Sequence, residues 1–285
     1  MDGLIPPQYG DLGKSAKNLF DKGFDYPKVK LGLKTKTDSG VEFEANGTHN
    51  LEKACTTGNL KSKLKCSAYG FTFSETWTTG GQLDTELTFE PQKVEGLKFS
   101  LSSEWFPSSG KASGNLKTSY KRNYVSTEGD IDMSVTGPVF NGSTVLAYNG
   151  WYGGYHLTYK GTTSTLTNNN IACGYYGSDF TVHGALNNIA DVVASVHHKL
   201  NKNTEVAMSS NYNLQSGNVS IAVGGKYSLD DGSILKAKVN DNGQVGLSYA
   251  QDIRTGVRLG LSSLIEARNV NGGGHKLGLS LDFES

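Results

Sequence analysis

With 285 residues and a formal net charge of +0, the chain is long enough for two ordinary domains or one large β domain, and no nucleic-acid partner is expected of it. Mean hydropathy is −0.40 and no apolar run approaches the roughly 18 residues of a membrane-spanning helix, which excludes helical insertion but not a strand barrel, whose alternation averages away. Three cysteines, Cys55, Cys66 and Cys173, stand at unrelated spacings without a CxxC pair, so no disulfide framework or cysteine metal site is expected.

The first residues, through Pro6 and Pro7, carry neither the basic region nor the apolar run of a secretory signal, and a reduced, cytosolic history is the expectation. Residues 9–22 then place Leu12, Ala16, Leu19 and Phe20 on one helical face and Asp11, Lys14, Lys17, Asn18 and Asp21 on the other. This spacing predicts one amphipathic helix that stops at Gly23.

From Val29 the period changes to two. Val29, Leu31 and Leu33 share one phase and Lys30, Gly32, Lys34 and Lys36 the other; the turn Asp38-Ser39-Gly40 follows, then Val41, Phe43 and Ala45 against Glu42 and Glu44. The same alternation sets Leu60 and Leu64 against Lys61, Lys63 and Lys65, and Leu97, Phe99 and Leu101 against Lys98, Ser100 and Ser102. It continues through Leu116 and Tyr120, through Ile131, Met133 and Val135, and through Trp151, Tyr155, Leu157 and Tyr159. Weaker segments follow near residues 171–176, 180–183, 192–199 and 206–212. Clear ones return at Val219 to end at Leu277, Leu279, Leu281 and Phe283.

Somewhat under twenty strands of about ten residues each match the length of a tilted transmembrane strand. The polar phase is small as well as charged, which suits a lumen that stays open, and a barrel of that size leaves an aqueous channel. The fold expected is therefore an all-β transmembrane barrel with apolar side chains toward lipid. Its inward phase carries Lys30, Lys34, Lys36, Lys61, Lys63, Lys65, Lys98, Lys117, Lys121, Lys226, Lys236, Lys238, Arg258 and Lys276. Against them stand Glu42, Glu44, Asp84, Glu86, Asp130, Asp132 and Asp282, so a weak anion preference is predicted.

Glu75 breaks the pattern, because its parity groups it with Phe71, Phe73 and Trp77 on the lipid face. An ionisable residue there is a functional hypothesis by default. His197 and His198, adjacent on a strand, point to opposite faces and cannot share a metal. No spacing of Ser, His, Cys or carboxylates indicates an enzyme.

Tyr227-Ser-Leu-Asp230-Asp231-Gly-Ser233, continuing through Ala237-Lys238-Val239-Asn240-Asp241 and Gly246-Leu247-Ser-Tyr249, resembles the signature of the eukaryotic mitochondrial porins, the voltage-dependent anion channels. Tyr9-Gly-Asp11-Leu12-Gly13-Lys14-Ser15-Ala16 and Asn269-Val-Asn271-Gly-Gly-Gly-His275-Lys276-Leu277-Gly278-Leu279 are similar to that family too. The resemblance implies about nineteen strands over residues 28–285, a number that periodicity alone does not fix, with an N-terminal segment over residues 1–27 whose helix lies in the lumen.

It further implies a voltage-gated pore of the mitochondrial outer membrane passing ATP, ADP, phosphate and other small ions and metabolites, without a required cofactor but with binding of ATP and NADH. Lys14 and Lys22 match family lysines associated with nucleotides. Gln244, Val245 and Gly246, and Ser262, Ser263, Leu264, Ile265 and Glu266, match segments associated with a nicotinamide dinucleotide. Glu75 matches a glutamate linked to hexokinase docking, gating and lipid contacts. Apoptotic regulators, membrane lipids and a second copy of the chain are further implied partners, and a docking platform is the alternative reading to a pore. The sequence departs from the family at Gly23-Phe24-Asp25-Tyr26-Pro27, where a single glycine argues against a freely hinging helix.

Overall fold

The alternating segments pair with one another into a single closed sheet. The structure is a computed structural model that describes residues 5–134 and 137–284; residues 1–4 and the predicted strand residue Val135 lie outside the described residues. The strands are β1 (Lys28–Lys36), β2 (Val41–Asn50), β3 (Cys55–Cys66), β4 (Phe71–Thr78), β5 (Leu83–Phe89), β6 (Leu97–Phe106), β7 (Lys111–Arg122), β8 (Val125–Ser134), β9 (Gly137–Tyr148) and β10 (Trp151–Lys160). They continue as β11 (Thr165–Tyr176), β12 (Phe180–Asn187), β13 (Asp191–Lys199), β14 (Thr204–Asn213), β15 (Val219–Ser228), β16 (Ile234–Asn240), β17 (Gln244–Arg254), β18 (Val257–Glu266) and β19 (Lys276–Glu284).

Each strand is antiparallel to the next, and β1 also pairs with β19 in parallel, Val29 opposite Leu279 and Lys34 opposite Glu284. An odd number of alternating strands leaves the first and last running the same way, so the closing pair has to be parallel. Closure leaves no free edge, the condition for a sheet to sit in lipid.

Leu31, Phe73, Trp77, Leu101, Ile171, Val223 and Leu247 are all exposed on the outside of this cylinder. Among the described residues the buried apolar side chains form only two small clusters, both where the N-terminal segment meets the inner wall. The barrel therefore has no packed interior. Its apolar surface turns outward, toward lipid.

Two features differ from the sequence expectation. The predicted helix over residues 9–22 is split into a 3-10 turn at Tyr9–Asp11 and a helix, α1, at Lys14–Asp21, separated by Gly13 at φ 69°. Strand β9 is not marked by alternation, because Val145 and Ala147 put apolar residues on its inner phase as well.

Turn glycines hold the strands in register. Gly96 sits at φ +83°, and a Cβ there would collide with the Lys121 carbonyl. Gly96→Ala is expected to lower the unfolding free energy by about 1–3 kcal/mol. Urea titration of the protein refolded in vesicles measures this, and an unmoved midpoint contradicts it.

Candidate functional site

The lumen is shaped by the segment folded into it. Tyr9 stacks on His156 of β10 with ring centroids 5.3 Å apart. Tyr9 and Leu12 lie over Gly154, where a Cβ would come within 3.0 Å of Tyr9 and 3.1 Å of Leu12. Val145, Ala147 and Tyr152 complete this contact. Burial pushes the Tyr9 hydroxyl above its ordinary range. Gly13 rests on the His183 ring, itself held by the Tyr152 hydroxyl 2.9 Å from Nδ1. Next, α1 lays Ala16, Leu19 and Phe20 against Ala207, Ala222 and Gly224 of β14 and β15. Burying Leu19 and Phe20 contributes about 1.5–3 kcal/mol each.

The C-terminal end of α1 meets two cations. Lys238 Nζ donates to the Phe20 carbonyl and lies 4.2 Å from the Phe24 ring centroid, while Lys236 Nζ donates to the Lys22 carbonyl at 2.8 Å. Terminal carbonyls lack intrahelical partners and carry the negative end of the helix dipole, so lysines there satisfy both. The linker that follows is fixed in turn. Ser248 Oγ donates to the Gly23 carbonyl at 2.7 Å, the Asp25 amide donates to Ser262 Oγ at 3.1 Å, and Lys30 Nζ pairs with Asp25. These bonds hold the glycine-poor linker against β1, β17 and β18.

Most of the predicted wall cations have carboxylate partners. Lys34 pairs with Glu284 at 2.9 Å, Lys117 with Glu128 at 3.0 Å, Lys98 with Glu90 at 3.7 Å and Arg258 with Asp252 at 3.7 Å. Lys226 and His197 share Glu205, at 3.0 and 3.1 Å. Glu104, Glu128, Asp191, Glu205, Asp252, Glu266 and Glu284 have the inward parity that the alternation did not credit to them. Lys28, Lys111, Lys160 and Lys199 share that inward parity as well, so a cationic excess remains but is smaller than predicted. Of the predicted wall cations, Lys61, Lys65 and Lys121 have no ion partner among the described residues, and Lys236 and Lys238 are held by carbonyls rather than carboxylates.

A cavity of about 460 Å³ lies between α1 and the wall. Lys17, Phe20, Asp21, Lys238, Gln244, Gly246 and Leu264 line it. Gln244, Gly246 and Leu264 of the two predicted dinucleotide segments thus come together, with Gln244 Nε2 donating to Glu266 at 2.6 Å. Ser262 holds the linker, whereas Val245, Ser263 and Ile265 have the opposite parity and face outward. Lys14 is exposed and bonds Asp11 at 2.7 Å; Lys22 caps the helix C-terminus, and neither lines this cavity. Lys17, Asp21 and Lys238 were not singled out as ligand candidates, because only the folded segment sets them beside β17 and β18.

Glu75 is half-buried on β4, between Ser62 of β3 and Thr85 of β5 and in phase with Phe73 and Trp77. Among the described residues no group of three His, Cys, Asp or Glu can hold a metal ion. His197 is buried and faces inward, while His198 is exposed on the other face.

The eukaryotic porin family model matches residues 5–278. The chain belongs to the eukaryotic porin family. This porin is 40% identical over 281 residues to the non-selective voltage-gated ion channel VDAC2 of Xenopus laevis, covering 99% of this chain and 100% of that protein. Its identity to the VDAC1 channel of Homo sapiens is 39% over 281 residues, covering 99% of each chain. A mutant of the Rh. blastica porin shares 10% identity with it at a TM-score of 0.46, over 85% of this chain and 90% of that one.

Proposed function

We propose that this eukaryotic porin is a voltage-gated, weakly anion-preferring pore of the mitochondrial outer membrane, through which ATP, ADP, phosphate and other small ions and metabolites diffuse. It is a channel, not an enzyme. The observation that carries the reading is an unfilled, charged lumen inside a closed nineteen-strand wall, narrowed on one side by a docked helix. Relatives at about 40% identity over nearly the whole chain are named voltage-gated ion channels, which supports the same reading. Anion preference is supported by the unpartnered Lys61, Lys65 and Lys121, and the partial charge balance elsewhere keeps it weak. Voltage acts on any charge that moves through the field, about 2.3 kcal/mol per elementary charge per 100 mV, and Lys14, Lys17 and Lys22 ride on or beside α1.

The cavity beside α1 is the proposed place for ATP or NADH, with Lys17 and Lys238 as cations and Gln244, Gly246 and Leu264 as wall. A second reading, a docking platform for hexokinase or apoptotic regulators, or for another copy of the barrel, is favoured by the outward carboxylate of Glu75. Refolded protein in a planar bilayer under a KCl gradient tests the pore. A large open state with a reversal potential on the chloride side, closing at both polarities, is expected. A silent bilayer sinks the pore reading and leaves the platform.

A further inference from the structure

The hairpin turns that follow even-numbered strands lie at the mouth where β1 begins, and one arc of that rim, over β12 to β15, is apolar to its tips. On the outer face Leu186, Val192, Tyr212 and Val219 stand opposite one another in turn, so one greasy row crosses four strands, about 14 Å, at the end of the ladder. Ile189 and Leu214 carry it past the last paired residues. Ile189 is 69% exposed at the tip of the β12–β13 turn, and Leu214 is 47% exposed in the β14–β15 turn. The Leu214 amide donates to the Ala190 carbonyl at 2.7 Å, which ties the two tips into one edge.

Nothing local asks for isoleucine at that tip. The Ala190 amide donates to the Asn187 carbonyl at 2.9 Å across a two-residue turn, with Asn188 at φ 51° and Ile189 at φ 56°. Such a turn needs the left-handed region at both central positions, which suits Asn and Gly and crowds a β-branched side chain. Left in water, that side chain adds no burial to offset the crowding. Charge is missing as well. Residues 184–196 and 206–225 contain no Lys or Arg and one carboxylate, Asp191, whose Oδ1 accepts from Asn213 Nδ2 at 2.7 Å. Elsewhere on this rim Leu51 is followed by Glu52 and Lys53, and Val270 lies between Arg268 and His275.

We propose that this arc is a membrane-inserted lip, with Ile189 and Leu214 at the boundary between phospholipid headgroups and acyl chains and Tyr212 at the level where tyrosine favours a membrane surface. Continuity decides for lipid over a protein partner, because the patch extends a face that already meets hydrocarbon. Helix α1 rests on the inner side of β14 and β15, so the lip anchors in the bilayer the stretch of wall that carries the helix. The inference needs a barrel in lipid and does not use the pore reading.

The test places an environment-sensitive fluorophore on a single cysteine, Gln215→Cys beside the patch or Ser109→Cys in the β6–β7 turn of the same mouth, in a background without the native cysteines. The full chain is refolded into phosphatidylcholine vesicles, and Val223→Cys on the outer wall of β15 reports insertion in each preparation. A nitroxide on the upper acyl chain is expected to quench the label at 215 several-fold more than the label at 109, and aqueous iodide is expected to quench them in the opposite order. I189N/L214N is expected to bring the label at 215 to the behaviour of the label at 109. Asparagine accepts positive φ, so this variant relieves the crowding at the turn and its effect does not come from misfolding. Equal iodide access at 215 and 109 overturns the proposal and leaves the patch in water as a face for a protein. Lipid quenching at 215 that is unchanged in I189N/L214N overturns the role of the two side chains.

Discussion

Glutamine at both Lys236 and Lys238 is expected to release α1 from the barrel wall. The two ammonium groups satisfy the carbonyls of Phe20 and Lys22, the end of the helix where partial negative charge collects. A hydrogen bond to a charged group contributes about 1.5–3 kcal/mol when sheltered, and the low end applies here because the lumen is wet. Loss of the Lys238 contact with Phe24 adds about 0.5–1 kcal/mol. Together the double variant gives up about 3.5–4 kcal/mol, a shift of roughly 400- to 900-fold in the ratio of docked to free helix. Leu19 and Phe20 against Gly224 still favour docking, so the result is a mixed population rather than a lost helix. A nitroxide at position 17, in a background without the native cysteines, reads this as a distance distribution to the β15 wall. One narrow peak in wild type that becomes two in the variant is the expected outcome. A single unshifted peak shows that apolar contact alone holds the segment.

The same contacts explain how far the sequence could be read. Strands whose outer phase is large and whose inner phase is polar, such as β1, β3, β6 and β16, announce themselves, because each face meets one solvent. Where the N-terminal segment covers the wall, the inner face no longer meets water. Val145 and Ala147 on β9, and Ala207 and Ala222 on β14 and β15, then become apolar or small, and the alternation fades in that quarter of the barrel. This is why β9 left no signal and the segments near residues 171–212 looked weak. The break at Gly13 was hidden for a related reason. Leu12 and Ala16 keep helical spacing on either side of it, and only the His183 ring pressing on Gly13 shows why the chain turns there.

Charge was harder to read than fold. Lysines such as Lys30 and Lys34 fall in clear segments, whereas Glu205 lies in a weak one and Glu284 follows the last apolar residue of the chain. The missed residues were therefore mostly acidic, and the inward surplus of cations read from alternation was too large. Glu75 was legible for the opposite reason. A carboxylate among Phe71, Phe73 and Trp77 contradicts its surroundings, and only residues of its own strand are needed to see that.

Replacing Glu75 with leucine is expected to make the barrel more stable. Glu75 lies at the middle of β4, three residues or about 10 Å along the strand from its end at Thr78. Its flanks, Phe73 and Trp77, are 40% and 50% exposed on the outer face. Basic residues at the lipid-facing midplane cost about 2–4 kcal/mol and acidic ones less, so removing the carboxylate is expected to gain about 1–2 kcal/mol. Its cross-strand neighbours Ser62 and Thr85, and Ser103 beyond them, form a polar row that lowers the penalty without removing it. Urea unfolding from vesicles measures the gain, and bilayer thickness separates its causes. A carboxylate held in hydrocarbon gives a gain that grows with longer acyl chains, because fewer headgroups come within its reach. A carboxylate already at the headgroups gives no gain at any thickness, and that result removes the physical ground for treating Glu75 as more than a surface residue. If the gain appears, the chain carries a destabilising charge at a place where leucine fits. The partner that would offset it has to come from outside the barrel, at the face where β3, β4 and β5 meet lipid.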